Sequence, residues 1–426
     1  MPAARVTFIR DILEEHLDEL SFLWGQRVAA LNSPVLTLRG FRDLEERIEA
    51  HVEGLLAAGE HVVPLLLPGL VESPANVAFA SAYPLLRLGQ KAAAEEVWKS
   101  FARADGAGLP GLIQALCACC PAELKPRIID QAAGVPSVRS AAALEVLAFS
   151  SPGDVKPTKV VPLLTAESPR LQQAGWRLVA LADISIAREL FDKALADKDP
   201  VTRRESLWAA AWTKQPWLLD YCRKFAVKNP PADTLPFRLL AVLGQPEDLQ
   251  RILYLGKDPV LGPERYEWLG AYGHPGVIDL ILEGFKSKNH REAVAAGYAF
   301  TKITGFDVES DKRVTLPPED GHEPDEIEKE FLDDGFLPDF DLAQGHWQKA
   351  KDIFAKGTCW CRGHDFTQLK TDLTTEQTDM VSYSENLLRI VFAGHARNQL
   401  TDIKRFRPEE MIGLSGWSNA KWSTNV

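Results

Sequence analysis

Prolines at 136, 169, 200, 231 and 263 stand 33, 31, 31 and 32 residues apart. Most of them open an Ala- and Leu-rich run, as in Pro136-Ser-Val-Arg139, Pro169-Arg-Leu-Gln172 and Pro200-Val-Thr-Arg203. Proline is tolerated at the first helical position because its missing N–H would have no intrahelical partner there. A fixed period near 32 residues with a proline-led helix in each unit is the signature of a helical solenoid, in which each repeat buries its apolar face against its neighbours. The predicted fold class is therefore all-α, a helical-repeat solenoid (α-α superhelix) with a smaller irregular or helical C-terminal region.

The rest of the chain arranges itself around that section. Residues 1–60 read as an N-terminal helical cap: Ile12, Leu13, Leu17, Leu20, Leu23 and Trp24 recur at helical spacing among acidic residues over 5–31, and a second helix follows over 41–58. Residues 61–305 hold the repeats, irregular up to Cys120 and regular afterwards, with second helices expected over 156–166, 184–197, 215–228, 246–255 and 275–286. A last array helix is expected over 290–304, where Ala293, Ala295, Ala296 and Ala299 permit close helix packing. Residues 306–345 form an acidic connector, carrying eleven Asp and Glu over 319–341 and prolines at 317, 318, 324 and 338 that favour loop. Residues 346–426 make a C-terminal region with helices expected over 347–355, 375–392 and 396–405 and an irregular tail over 415–426.

Charge and motifs narrow the function. A formal net charge of −11 argues against nucleic acid, which is bound by neutralising phosphates with Lys and Arg. The longest apolar run, 62–71, contains two prolines and a glycine and is short of the ~20 residues a spanning helix needs, so no membrane partner is expected. The opening residues predict no secretory signal, and six cysteines, three of them crowded as Cys117, Cys119 and Cys120, do not resemble a disulfide framework. A cytoplasmic protein follows as the expectation. Nucleotide-loop, G-x-S-x-G and H-E-x-x-H motifs do not occur. Among repeat-built enzymes, deoxyhypusine hydroxylase needs repeated His-Glu pairs, of which only His322-Glu323 occurs, and HEAT-like DNA glycosylases need a basic concave face.

Two clusters remain as candidate sites. Cys359, Cys361 and His364 place three soft ligands within six residues, the chemistry of a zinc site or a reactive thiolate; the C-x-C spacing departs from the usual C-x₂₋₄-C knuckle, and thiols packed in a turn are the simpler account. No metal and no cofactor is expected, with this trio as the weak metal candidate. Trp176, Trp208, Trp212 and Trp217 are candidate protein-binding residues, since tryptophan is enriched at interface hot spots and Trp208 and Trp212, four apart, share a helix face. Their plain alternative is inter-repeat core. The acidic stretch 319–341 lacks calcium-loop spacing and reads as a solvated connector.

The segments Glu14-Glu-His-Leu-Asp-Glu-Leu20 through Trp24-Gly-Gln-Arg27, Arg47-Ile-Glu-Ala-His51, Ala299-Phe-Thr-Lys-Ile-Thr-Gly305 and the series Asp341, His346, Trp347, Phe354, Gly357 resemble a proteobacterial family of HEAT-like repeat proteins of uncharacterised activity. The resemblance covers most of the chain. It implies a gene among type VI secretion genes and a protein partner that is a secreted effector, a toxin or a spike component, and it supplies no catalytic residues. The chain departs from the family pattern at Thr358-Cys-Trp-Cys-Arg-Gly363, where the family carries an Arg-aromatic-Leu run before a glycine. The leading expectation is a non-catalytic, type VI secretion-associated adaptor or chaperone for an effector. The alternatives are an immunity protein that neutralises a cognate toxin, and an enzyme using Cys359, Cys361 and His364.

Overall fold

Pro169 and Pro200 stand at the first residue of the helices Pro169–Leu181 and Pro200–Trp212. Their fixed φ and absent N–H cost nothing at that position. In the computed structural model, which describes residues 9–228, 233–316, 318, 333–356, 359–366 and 377–406, the other prolines of the period act differently. Pro136 precedes the cap: Ser137 accepts from the Ser140 amide while the Ser140 side chain accepts from the Ser137 amide, and the helix Val138–Ser150 starts one residue later. Pro263 is itself the residue before Glu264–Tyr272. Pro231 lies outside the described residues, and the helix it was expected to open runs Leu235–Leu243 with Pro236 in its first turn.

The chain separates into two compact units, residues 1–214 with 379–381 and 393–426, and residues 215–378 with 382–392. The division falls inside the repeat section, not at residue 305 where sequence character changes. Among the described residues the protein is mostly helical, and no helix is long and apolar enough to cross a membrane.

In the first unit the helices Arg10–Ala30 and Leu38–Leu56 pair with each other, the second started by the Thr37 hydroxyl accepting from the Gly40 amide. After them the helices Ala75–Arg87, Leu109–Ala118, Val138–Ser150, Pro169–Leu181 and Pro200–Trp212 pack each against the next. Second helices, Lys91–Arg103, Lys125–Ala133, Pro157–Leu164 and Arg188–Leu195, lie against their neighbours in the row. The closest crossing is at Gly111, where an added Cβ would stand 1.9 Å from the Ala75 carbonyl oxygen, so no side chain fits between these two helices. Ala141, Ala143, Ala209, Ala210 and Ala211 are buried, the small residues that such close approach requires.

Asp199 shows how a repeat start is specified. Its carboxylate accepts from the Thr202 amide at 2.8 Å, the Thr202 hydroxyl at 2.6 Å and Gln173 Nε2 at 2.9 Å. The Thr202 and Gln173 hydrogen bonds hold its pKa down to about 2. A depressed carboxylate stabilises the fold above its ordinary pKa and loses that contribution as pH falls through the folded value. Asp199→Ala is expected to lose about 1 kcal/mol by denaturant titration at pH 7, and the deficit should close as the pH falls from about 4 towards 2.

The second unit repeats the pattern. Leu235–Leu243, Glu264–Tyr272 and His290–Thr304 pack in succession, with Leu218–Lys228, Leu249–Gly256 and Ile278–Gly284 beside them. Two small strand pairs accompany the helices, consistent with the all-α expectation. Glu309–Thr315 runs antiparallel to Asp334–Pro338, Glu309 facing Pro338 and Thr315 facing Asp334, and Trp360–Cys361 pairs with His364–Asp365. The expected loop connector therefore carries structure at both ends. Arg313, Val314 and Thr315 are extended and two of them, Val314 and Thr315, are β-branched, and the pair closes against His290–Thr304, which supplies the apolar cover an isolated hairpin lacks. The connector also ends early: Asp339 caps a helix Phe340–Phe354 by accepting from the Leu342 amide, seven residues before the expected start. The acidic residues 319–332, the cysteine-flanking Thr358 and the tail 415–426 lie outside the described residues.

Candidate functional site

The last four carbonyls of any α-helix have no partner within it, so a row of stacked helices presents a row of acceptors along one edge. In the first unit those acceptors are taken by the chain's own residues 398–405. Asn398 Nδ2 donates to the Ala180 carbonyl at 2.6 Å and the Trp212 carbonyl at 3.3 Å. The Arg405 guanidinium donates to the Phe149 carbonyl and lies 5.8 Å from the Phe149 ring centroid. The three acceptors end three successive first helices, Val138–Ser150, Pro169–Leu181 and Pro200–Trp212. A cation and an amide donor at these ends also complement the negative pole of the helix dipole.

The end of the segment is gripped differently. Arg27 Nη2 donates to the carbonyls of Lys404 and Arg405 at 3.3 and 3.1 Å, reading main chain and not side chain. Phe406, 4% exposed, enters a slot of Trp24, Phe79 and Tyr83, edge-on to Trp24 at 5.4 Å and to Tyr83 at 5.6 Å. Arg27 lies over the same ring at 5.4 Å, and its Nε–H makes a 2.6 Å ion pair with Glu45. Burial pushes the Glu45 carboxyl up and the Arg27 guanidinium down, each opposed by the attraction of the other. The guanidinium stays charged at neutral pH all the same.

The second unit takes its acceptors in the same way. Arg389 donates through Nε to the Val242 carbonyl at 2.6 Å and through Nη2 to the Ala271 carbonyl at 2.5 Å. The 360–365 hairpin covers the neighbouring ends: the Trp360 amide donates to Gly273 O, the Arg362 amide to Lys302 O and the Gly363 amide to Ile303 O, all between 2.7 and 2.9 Å. Gly273 and Gly305 close their helices at φ +69° and +75°, and a Cβ on either would meet hairpin carbonyls at 2.5 and 2.7 Å. Both positions require glycine for conformation and for clearance. Between these contacts Glu385 is buried, with Lys302 Nζ at 2.5 Å and Arg238 Nη2 at 3.3 Å.

The residues singled out from sequence fall elsewhere. Trp176 is 1% exposed, its ring 4.7 Å from Phe191, and Trp212 is 4% exposed, so both are core and neither presents a side chain to a partner. Their burial follows from the small neighbours Gly175, Ala209, Ala210 and Ala211, which draw adjacent helices in close. Trp208 and Trp217 are half-buried, Trp217 edge-on to Tyr221 with its indole N–H donating to Gln215 at 3.3 Å. The cysteine cluster does not converge. Arg362 and Gly363, at φ 47° and 81°, make a tight turn that sets Cys361 opposite His364; Cys361 is buried against Asn386 Nδ2, whereas His364 is exposed. The Cys359 thiol instead donates to the Tyr272 carbonyl at 3.2 Å, and burial pushes its pKa up, away from thiolate character. Among the described residues no three His, Cys, Asp or Glu side chains gather around one point as a metal site requires.

What sequence reading missed is Arg27, Asn398, Arg389, Arg405 and Phe406. The four polar residues among them have main-chain carbonyls as targets, which every residue has, and Phe406 is a single aromatic residue without a spacing signal. A scan against protein-family models matches none to this chain, and a search of curated proteins finds no match either, so these helix ends and the segments seated on them are what its function is read from.

Proposed function

We propose that this chain is a non-catalytic helical-repeat scaffold, an α-solenoid of HEAT-like repeats, that holds a protein partner. The observation that carries the reading is the seating of residues 398–406 on the first unit. A polypeptide segment is held there by helix-end carbonyls, a main-chain clamp and an aromatic slot. These are the elements by which grooves recognise extended peptides, main-chain hydrogen bonds for affinity and a pocket for choice. Paired helices packed each on the next support the repeat architecture. The family resemblance makes the partner a secreted effector, a toxin or a spike component of a type VI secretion cluster, and the role that of a cytoplasmic adaptor or chaperone.

The test is a pull-down of the proteins encoded by the flanking genes with the purified full chain. Retention of one of them, with loss of that effector's delivery and no loss of viability when the gene is deleted, is the expected result. Retention of none removes the secretion reading. Death on deletion, rescued by deleting a toxin gene, converts the adaptor into an immunity protein.

A further inference from the structure

We infer that residues 398–406 are an intramolecular ligand occupying a peptide-binding site of the first unit, and that the external ligand of this site is an extended segment carrying an arginine followed directly by an aromatic residue. The inference deepens the scaffold reading and rests on it. Three separate devices meet on nine residues. Asn398 and Arg405 engage the ends of three successive repeat helices through side-chain donors alone. Arg27 takes the Lys404 and Arg405 carbonyls, which any peptide offers. The slot of Trp24, Phe79 and Tyr83 takes the Phe406 ring. A segment from outside would find the same main-chain donor beside the same side-chain pocket, the pairing by which grooves take up peptides.

The local structure of the segment suits exchange. It leaves the preceding helix through Gly394 at φ +80°, a position with open space where a Cβ would be, and its only helix, Leu400–Lys404, has five residues. Isolated helices that short do not persist in water, so the released segment gains chain entropy. Held in cis, it competes with any external ligand at an effective concentration near the millimolar range. A partner that binds more tightly than this displaces it.

The experiment titrates a fluorescein-labelled peptide of residues 396–408 into the full wild-type chain and into the full-length double variant Arg405→Ala, Phe406→Ala, whose own segment is weakened. Saturable binding to the variant about tenfold or more tighter than to wild type, abolished when the peptide itself carries both alanines, is the expected result. A variant with native circular dichroism that binds no peptide overturns the proposal. If the variant does not fold, hydrogen exchange on the wild-type chain decides. Amides of 400–406 exchanging through local opening at least about a hundredfold faster than those of Pro169–Leu181 uphold it, whereas exchange in step with that helix overturns it. A partner captured in the pull-down above, with no peptide binding here, leaves the scaffold standing and removes only the internal ligand.

Discussion

Replacing Arg27 by alanine is expected to destabilise the first unit by about 4 kcal/mol, read as a lower denaturant midpoint at unchanged slope. Arg27 and Glu45 are 2% and 1% exposed, and their 2.6 Å contact is what makes a charge at Glu45 tolerable there. Removing the cation leaves the carboxylate buried with its desolvation cost uncompensated. Burial already raises the Glu45 pKa, and the attraction of Arg27 is what opposes that rise. A group whose folded pKa lies above its unfolded value contributes stability that is present below the unfolded pKa and lost as pH rises through the folded one. The variant should therefore recover towards wild type on acidification.

Arg27→Met with Glu45→Leu separates the two jobs of Arg27. Exchanging a buried ion pair for apolar residues of similar volume is often neutral or stabilising, so the double variant should regain most of the lost midpoint. It cannot restore the donors to the Lys404 and Arg405 carbonyls. Exchange of the amides in 400–406 should stay fast in the double variant even when global stability returns. Restored stability together with slow exchange there would show that the clamp contributes nothing to holding the segment.

Glu385→Gln is the corresponding change in the second unit, expected to cost about 3 kcal/mol at pH 7. Glu385 is 6% exposed and bridges Lys302 and Arg238, which come from different repeats. Burial works to raise its pKa, and Lys302 and Arg238 overcome that and hold it below the ordinary value. A depressed carboxylate contributes stability above the unfolded pKa and loses it as pH falls through the folded one. The difference between wild type and Glu385→Gln should thus be level from about pH 5 to 8 and close below about pH 4. Glu267, close enough in space to feel the charge of Glu385 and raised by burial, has the opposite sign, so the closing of the gap identifies Glu385. A gap that widens on acidification would show that the carboxylate is not stabilised by its two cations.

Much of the helical scaffold was legible in the chain because it rests on local rules. Pro169 and Pro200 marked helix starts, and Ala293, Ala296 and Ala299, all buried, marked where a helix packs closely. Strand 309–315 was not legible, because Glu309, Asp311 and Lys312 are exposed, and a strand pair covered by a helix on part of one face shows no alternation. The Cys359, Cys361 and His364 spacing suggested convergence, but a tight turn at Arg362 and Gly363 puts the Cys361 thiol in the core and leaves His364 exposed.

Sequence by itself determined the helical class and several helix starts, since proline geometry, capping and 3.6-residue periodicity act within a few residues of one another. Only the tertiary structure decided that residues 359–366, Arg389 and 398–406 are not an appendage. Their donors are Asn398, Arg405 and Arg389 side chains and hairpin amides, and their acceptors are carbonyls 118 to 256 residues earlier in the chain for the three side chains. A main-chain carbonyl carries no sequence signature, and its need for a partner arises only where a helix ends, so the pairing of the two exists in space before it can be seen in the chain.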